Sequence, residues 1–134
     1  MIYPQTVSYA IEALGYMASL ELGTFHKVKE IAAELNIPEH FLGKILSQLV
    51  RKKLLISSKG PTGGISLGKA PNKISLFNII AALDALDALE DKCILGLRQC
   101  SDKKCCPFHD ESKRFKNRII TVAKQTTLAK LAKK

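Results

Sequence analysis

Lys92 to His109 is a run of 18 residues that holds all four cysteines of the 134-residue chain and one of its three histidines. Six residues separate Cys93 from Cys100, five separate Cys100 from Cys106, and His109 lies three beyond Cys106. Thiolates are soft ligands suited to iron–sulfur clusters or zinc. Zinc sites usually carry C-x-x-C pairs, whose short chelate loops fit a tetrahedron, and the near pair here, Cys105-Cys106, is adjacent. The wide spacing, in a stretch containing Gly96, fits a cluster spread over two or more irons better. Lys92, Arg98, Lys103 and Lys104 would offset the negative charge of a thiolate-bound cluster and favour the thiolate form. Spacing alone leaves three alternatives open: thiols that sense redox state without metal, a zinc site, and inert cysteines. Cys105 is either a spare or a competitor of Cys106.

The rest of the chain has to carry this segment and act on its state. Its length is that of one ordinary domain with a single core. Apolar residues make up 46% of it, which argues against disorder. The net charge of +9, from 21 basic and 12 acidic residues, points to a polyanionic partner, most often nucleic acid. No charged start followed by an apolar run marks a signal peptide, and no stretch approaches the roughly 18 apolar residues of a membrane span. A cytoplasmic location and no membrane partner are therefore expected. In a reducing compartment clustered cysteines serve metal or redox chemistry more often than structural disulfides.

Apolar residues at helical spacing predict a helix from about Thr6 to Leu22, stopped at Gly23, and a second from Val28 to Leu35. Asn36-Ile37-Pro38 breaks the second. A third helix runs from Pro38, tolerated in a first turn, to about Lys53. Its inward face is Phe41, Leu42, Ile45, Leu46 and Leu49, and its other face carries Lys44, Ser47, Gln48, Arg51 and Lys52. Two short helices joined tightly, the second showing small, polar and basic side chains, form a helix-turn-helix pattern. Leu54–Ser58 and Ile65–Gly68 read as strands around the turn Lys59-Gly60-Pro61-Thr62-Gly63-Gly64, whose glycines would supply positive φ angles. A hairpin placed directly after a helix-turn-helix is a wing. Between Glu39 and Asp84 stand seven Lys or Arg residues and no Asp or Glu. A solvated face normally mixes signs, whereas a one-signed stretch suits phosphates, because each contact releases condensed counterions.

Ser75 can cap a further helix reaching Glu90. Beyond the cysteines, a long helix from about Pro107 to Lys124 repeats Phe108, Phe115 and Val122, and Ser112, Ile119 and Thr126, at intervals of seven. That is the spacing of a helix–helix seam, either with a second copy of the chain or within one subunit. A short terminal helix is expected after Thr127. The fold class is thus mainly α with a small β-hairpin: residues 1–74 a winged helix-turn-helix domain, 75–134 the cysteine loop and dimerisation region.

Four stretches together resemble the bacterial winged helix-turn-helix regulators of the IscR and NsrR type. They are Tyr9-Ala10-Ile11-Glu12-Ala13-Leu14, Phe41-Leu42-Gly43-Lys44-Ile45-Leu46, the wing from Lys59 to Gly64, and the segment from Cys93 to Cys106-Pro107-Phe108-His109. The resemblance spans almost the whole chain. It implies a homodimer held by the long helix, and a 2Fe–2S cluster, with 4Fe–4S as the variant, on Cys93, Cys100 and Cys106. It also implies a signal of cluster supply, nitric oxide, iron or redox state; some members bind no cluster. His109 matches the fourth ligand of the IscR branch. The NsrR branch uses an acidic residue of the partner's first helix; Ser8 occupies that position here, and Glu12, one turn later, is the substitute. Lys59 replaces the wing's usual arginine, so a bidentate contact becomes a point charge.

The expected function is a DNA-binding regulator, a repressor by preference, reading double-stranded DNA as a dimer. Lys44, Ser47 and Gln48 are the choice for base edges; Arg51, Lys52, Lys59 and the Gly60, Thr62, Gly63 and Gly64 backbone for phosphates. The alternatives are a metal-free thiol-based redox regulator of the same fold, a small iron–sulfur electron carrier, and a metal-free interaction module. No nucleotide-binding glycine pattern, nucleophile elbow or paired catalytic carboxylates are visible, so an enzyme is not expected.

Overall fold

Apolar residues three and four apart give each N-terminal helix one buried stripe, and those stripes close on one another. The structure, a computed structural model, describes residues 4–86, 95 and 106–132. Helix α1 (Gln5–Ser19) buries Val7, Ala10, Ala13, Leu14 and Met17. Helix α2 (Val28–Leu35) buries Ile31 and Ala32, and α3 (Glu39–Arg51) buries Leu42, Ile45, Leu46 and Leu49. Strands β1 (Leu55–Ser58) and β2 (Gly64–Leu67) pair antiparallel, with Leu55 opposite Leu67 and Ser58 opposite Gly64. A 3-10 turn, Pro71–Lys73, leads into α4 (Leu76–Ala82). Helices α5 (His109–Gln125) and α6 (Leu128–Ala132) complete the described chain. The mainly α fold with one hairpin is the architecture expected from the sequence.

One core joins α1, α2, α3 and the hairpin to Ile74, Ile79, Ala82 and Leu128. Residues on both sides of the 74/75 boundary therefore share it. The C-terminal end is clipped on by backbone bonds: Leu76 N–H donates to Thr126 O at 2.9 Å, and Leu128 N–H to Ile74 O at 2.9 Å. A second, smaller cluster forms where Val7, Ile80, Ala85 and Ala123 meet, flanked by Phe77, Ile119 and Ile120.

Several boundaries differ from expectation, each for a local reason. Helix α1 stops at Ser19, short of Leu22, where the Ser19 hydroxyl donates to Tyr16 O at 2.6 Å and Leu20 turns extended. A side chain that bonds the preceding turn competes with the backbone ladder. Pro38 sits just before α3, not within it. Phe41, expected inward, is 39% exposed and meets Tyr9 edge-on at 5.5 Å. Ser75 caps α4 as expected, in a reciprocal capping box with Asn78. That helix nevertheless ends at Ala82, well before Glu90, because Asp84 turns left-handed at φ 56°; residues 87–90 lie outside the described residues.

Helices α2, α3 and α4 finish in the same way. Asn36, Lys53 and Asp84 take positive φ, and the next residue's N–H reaches five positions back: Ile37 to Ala32 O, Leu54 to Leu49 O and Ala85 to Ile80 O. This is the Schellman stop, usually built on glycine. No glycine marks these three stops in the sequence.

Candidate DNA-binding face and cysteine segment

Helix α3 turns Lys44, Ser47 and Arg51 to solvent, and Lys52 follows them exposed. These side chains share a surface because they lie three and four residues apart on the side away from Leu42, Ile45 and Leu49. The chain passes from α3 straight into β1, so helix and wing are mounted on one core. Lys59, Gly60 and Thr62 are exposed at the wing's end, Gly64 is half-buried and Gly63 is buried.

The wing tip is a turn in which Gly63 N–H donates to Gly60 O at 3.0 Å. Gly60 and Gly64 have positive φ, as expected, and Gly63 does not. Gly63 is required for space: a Cβ there would stand 2.2 Å from Ser58 O. Gly64 is constrained twice, since its φ is 146° and a Cβ would fall 2.4 Å from His26 O.

That last contact shows a part of the site that sequence reasoning missed. His26 and Ile65 form a two-way backbone bridge, at 2.9 and 2.8 Å, which adds a third short rung to the hairpin. Lys27 then extends Nζ to Gly60 O at 3.0 Å. The loop before α2 thus grips the wing at Ile65, one pair below the turn, and at Gly60 within it. A single bridged residue has no alternation to betray it, so the sequence carries no signal for this third rung.

Gln48, chosen from the sequence for a base edge, makes a contact within the chain. It is half-buried, and its Nε2 donates to Ala82 O at 3.1 Å and to Asp84 Oδ2 at 3.4 Å. Its amide is turned to the end of α4, away from the exposed face.

Of the proposed metal ligands, Cys93 and Cys100 lie outside the described residues, as does Cys105. Cys106 and His109 are both half-buried at the start of α5 and are joined by a backbone bond, His109 N–H to Cys106 O at 3.0 Å. They are one turn apart, a separation from which a thiolate and an imidazole can reach one cluster. The donor chemistry of this pair fits an iron–sulfur group. Of the substitute ligands on α1, Ser8 is half-buried and Glu12 exposed.

Along α5 the two sevenfold series part company. Phe108, Phe115 and Val122 are 55%, 46% and 40% exposed, whereas Ser112 is buried and Ile119 packs on the smaller cluster. The second series therefore turns inward at Ser112 and Ile119, and the first remains as an outward apolar stripe. No described helix is long and apolar enough to cross a membrane.

Comparison with known proteins bears on this arrangement as a whole. A relative named as an HTH-type transcriptional regulator, from Aquifex aeolicus, is 37% identical over 134 residues, covering 98% of this chain and 91% of the other. The fold is similar to that of CymR (YrzC), the global cysteine regulator of B. subtilis, with a TM-score of 0.78 and 25% identity over 96% of this chain and 94% of that one. It is also similar to T. potens IscR, with a TM-score of 0.71 and 23% identity over 94% and 82% of the two chains. The Rrf2 family model, described as an iron-dependent transcriptional regulator, matches residues 3–134, and the chain belongs to this family of transcriptional regulators.

Proposed function

We propose that this regulator grips double-stranded DNA as a homodimer through α3 and the wing, and that the cysteine segment sets the strength of that grip. The observation that carries the reading is the exposed, one-signed surface of Lys44, Arg51, Lys52 and Lys59 beside Ser47. Lys44 and Ser47 serve base edges, and the wing and the end of α3 serve phosphates. The outward stripe of Phe108, Phe115 and Val122 is the seam with the second subunit.

In the same proposal Cys93, Cys100, Cys106 and His109 hold an iron–sulfur cluster, 2Fe–2S by preference. Such a group supplies a centre whose presence and charge depend on iron and oxidants. The chain's own part is to offer three thiolates and an imidazole, of which Cys106 and His109 stand at the start of α5, next to the seam. The family's description as iron-dependent supports this. A second reading, thiol chemistry without metal, uses the same cysteines.

Anaerobic purification followed by visible absorption and iron and sulfide counts separates the two. Coloured protein with iron and sulfide in equal numbers, losing its colour faster after His109→Ala, is the expected outcome. Colourless, iron-free protein from the same preparation ends the cluster reading. Indifference to duplex DNA at low salt, in every thiol state, ends the proposal as a whole.

A further inference from the structure

The Gln48 side chain stands on the flank of α3, between the buried Ile45 and Leu49 and the exposed Lys44, Ser47 and Arg51. Its amide closes on the last turn of α4. There the Schellman stop satisfies three carbonyls from within: Leu83 N–H goes to Ile79 O, Asp84 N–H to Ala81 O and Ala85 N–H to Ile80 O. Ala82 O is left over, as the final carbonyls of a helix generally are. Among the described residues its donor is Gln48 Nε2, which also reaches the Asp84 carboxylate.

Asp84 is the residue on which this stop turns, at φ 56°. Two residues later comes Leu86, and six further positions separate it from Cys93. The left-handed region is a separate basin, so a residue leaves it in one step and not by degrees. A cap of this kind has discrete arrangements, which coupling between two sites requires.

We propose that Gln48 is a positioning residue that ties the DNA-reading helix to the cap at the entrance of the cysteine segment. It conveys the state of that segment to α3 and does not read bases. A rearrangement that draws Asp84 out of its basin carries its carboxylate away from the Gln48 amide, which keeps Ala82 O alone, and the setting of α3 against α4 loosens. The inference rests on the proposed reading that α3 meets DNA and the cysteines sense.

The test uses the full-length protein and a duplex selected by the wild type from a random pool. Affinity is measured for the anaerobic, reduced protein and for the same protein after hydrogen peroxide. The wild type should differ between the two states by on the order of tenfold, within the usual range of coupling between sites. Gln48→Ala, and Gln48→Glu, which sets a carboxylate against both acceptors, should bring that ratio to within about twofold of one. Neither should change which base pairs of the duplex matter. Asp84→Asn keeps an acceptor and a residue type that tolerates positive φ, so it should retain the wild-type ratio. The thermal midpoint establishes that each variant is folded.

A wild-type ratio of one overturns the sensing reading and the inference together. A wild-type ratio that survives in both Gln48 variants overturns the inference alone. Loss of preference at one base pair in Gln48→Ala makes Gln48 a base reader and overturns it as well.

Discussion

Glycine and lysine do opposite work at the wing, and substitution separates them. At Gly64 a methyl group would collide with His26 O at 2.4 Å while the backbone sits at φ 146°. Gly64→Ala should destabilise the protein by about 2 kcal/mol, the scale of a strained backbone position, and weaken duplex binding by loosening the His26–Ile65 bridge. Gly15 is the internal control: it lies within α1 and has nothing within 4 Å of its would-be Cβ. Gly15→Ala should stabilise by about 0.5–1 kcal/mol, the usual gain from removing glycine within a helix. Urea unfolding measures both, and equal effects at the two positions would refute the argument. Lys59 is exposed, so its removal should leave the unfolding midpoint unchanged. Each phosphate contact contributes about 0.9 to the salt slope, so Lys59→Ala in both subunits should flatten the plot of log affinity against log salt by about 2. An unaltered slope would take Lys59 off the phosphates.

At the scale of the helix, the sequence shows where elements run better than where they stop. The apolar stripes of α2 and α3 predict their centres and buried faces, because a period near 3.6 is imposed by burial itself. Termini are set by weaker, local choices. The Ser75 cap is legible, since its residue type carries the mechanism. The stops at Lys53 and Asp84 are not, because Lys seldom takes a left-handed turn, Asp does so only occasionally, and the packing that follows holds them there. The candidate site divides the same way: exposed cations on α3 follow from the stripe, while the orientation of Gln48 depends on where α4 ends. Lys53, at φ 66°, makes this testable. A non-glycine residue there costs about 1–2 kcal/mol, and glycine returns part of that gain as added freedom of the unfolded chain. Lys53→Gly should therefore raise stability by about 0.5–1 kcal/mol, and the β-branched Lys53→Val should lower it by at least as much. Chemical denaturation decides; a destabilised glycine variant would mean that the lysine side chain contributes more than its backbone costs.

For the whole molecule, what matters is whether two subunits act as one. The α5 stripe offers three large apolar side chains, Phe108, Phe115 and Val122, to solvent, while the series at Ser112 and Ile119 is already committed inward. A seam of one residue per two turns is narrow, and one charge at its centre should open it. Phe115→Glu buries a carboxylate against apolar neighbours if the seam closes, and a buried unpaired charge is not tolerated. The variant should sediment as a monomer at concentrations where the wild type is a dimer. Its helical content should be unchanged, because the side chain touches solvent in the single subunit. DNA binding then reports the coupling directly. Linking two half-site readers multiplies affinity by about 10²–10⁴ through effective concentration. Phe115→Glu should therefore bind a full palindromic duplex at least about a hundredfold more weakly, yet bind a half-site duplex as the wild type does. Loss on both duplexes would indicate damage to α3 or the wing, and loss on neither would place the subunit contact on another face.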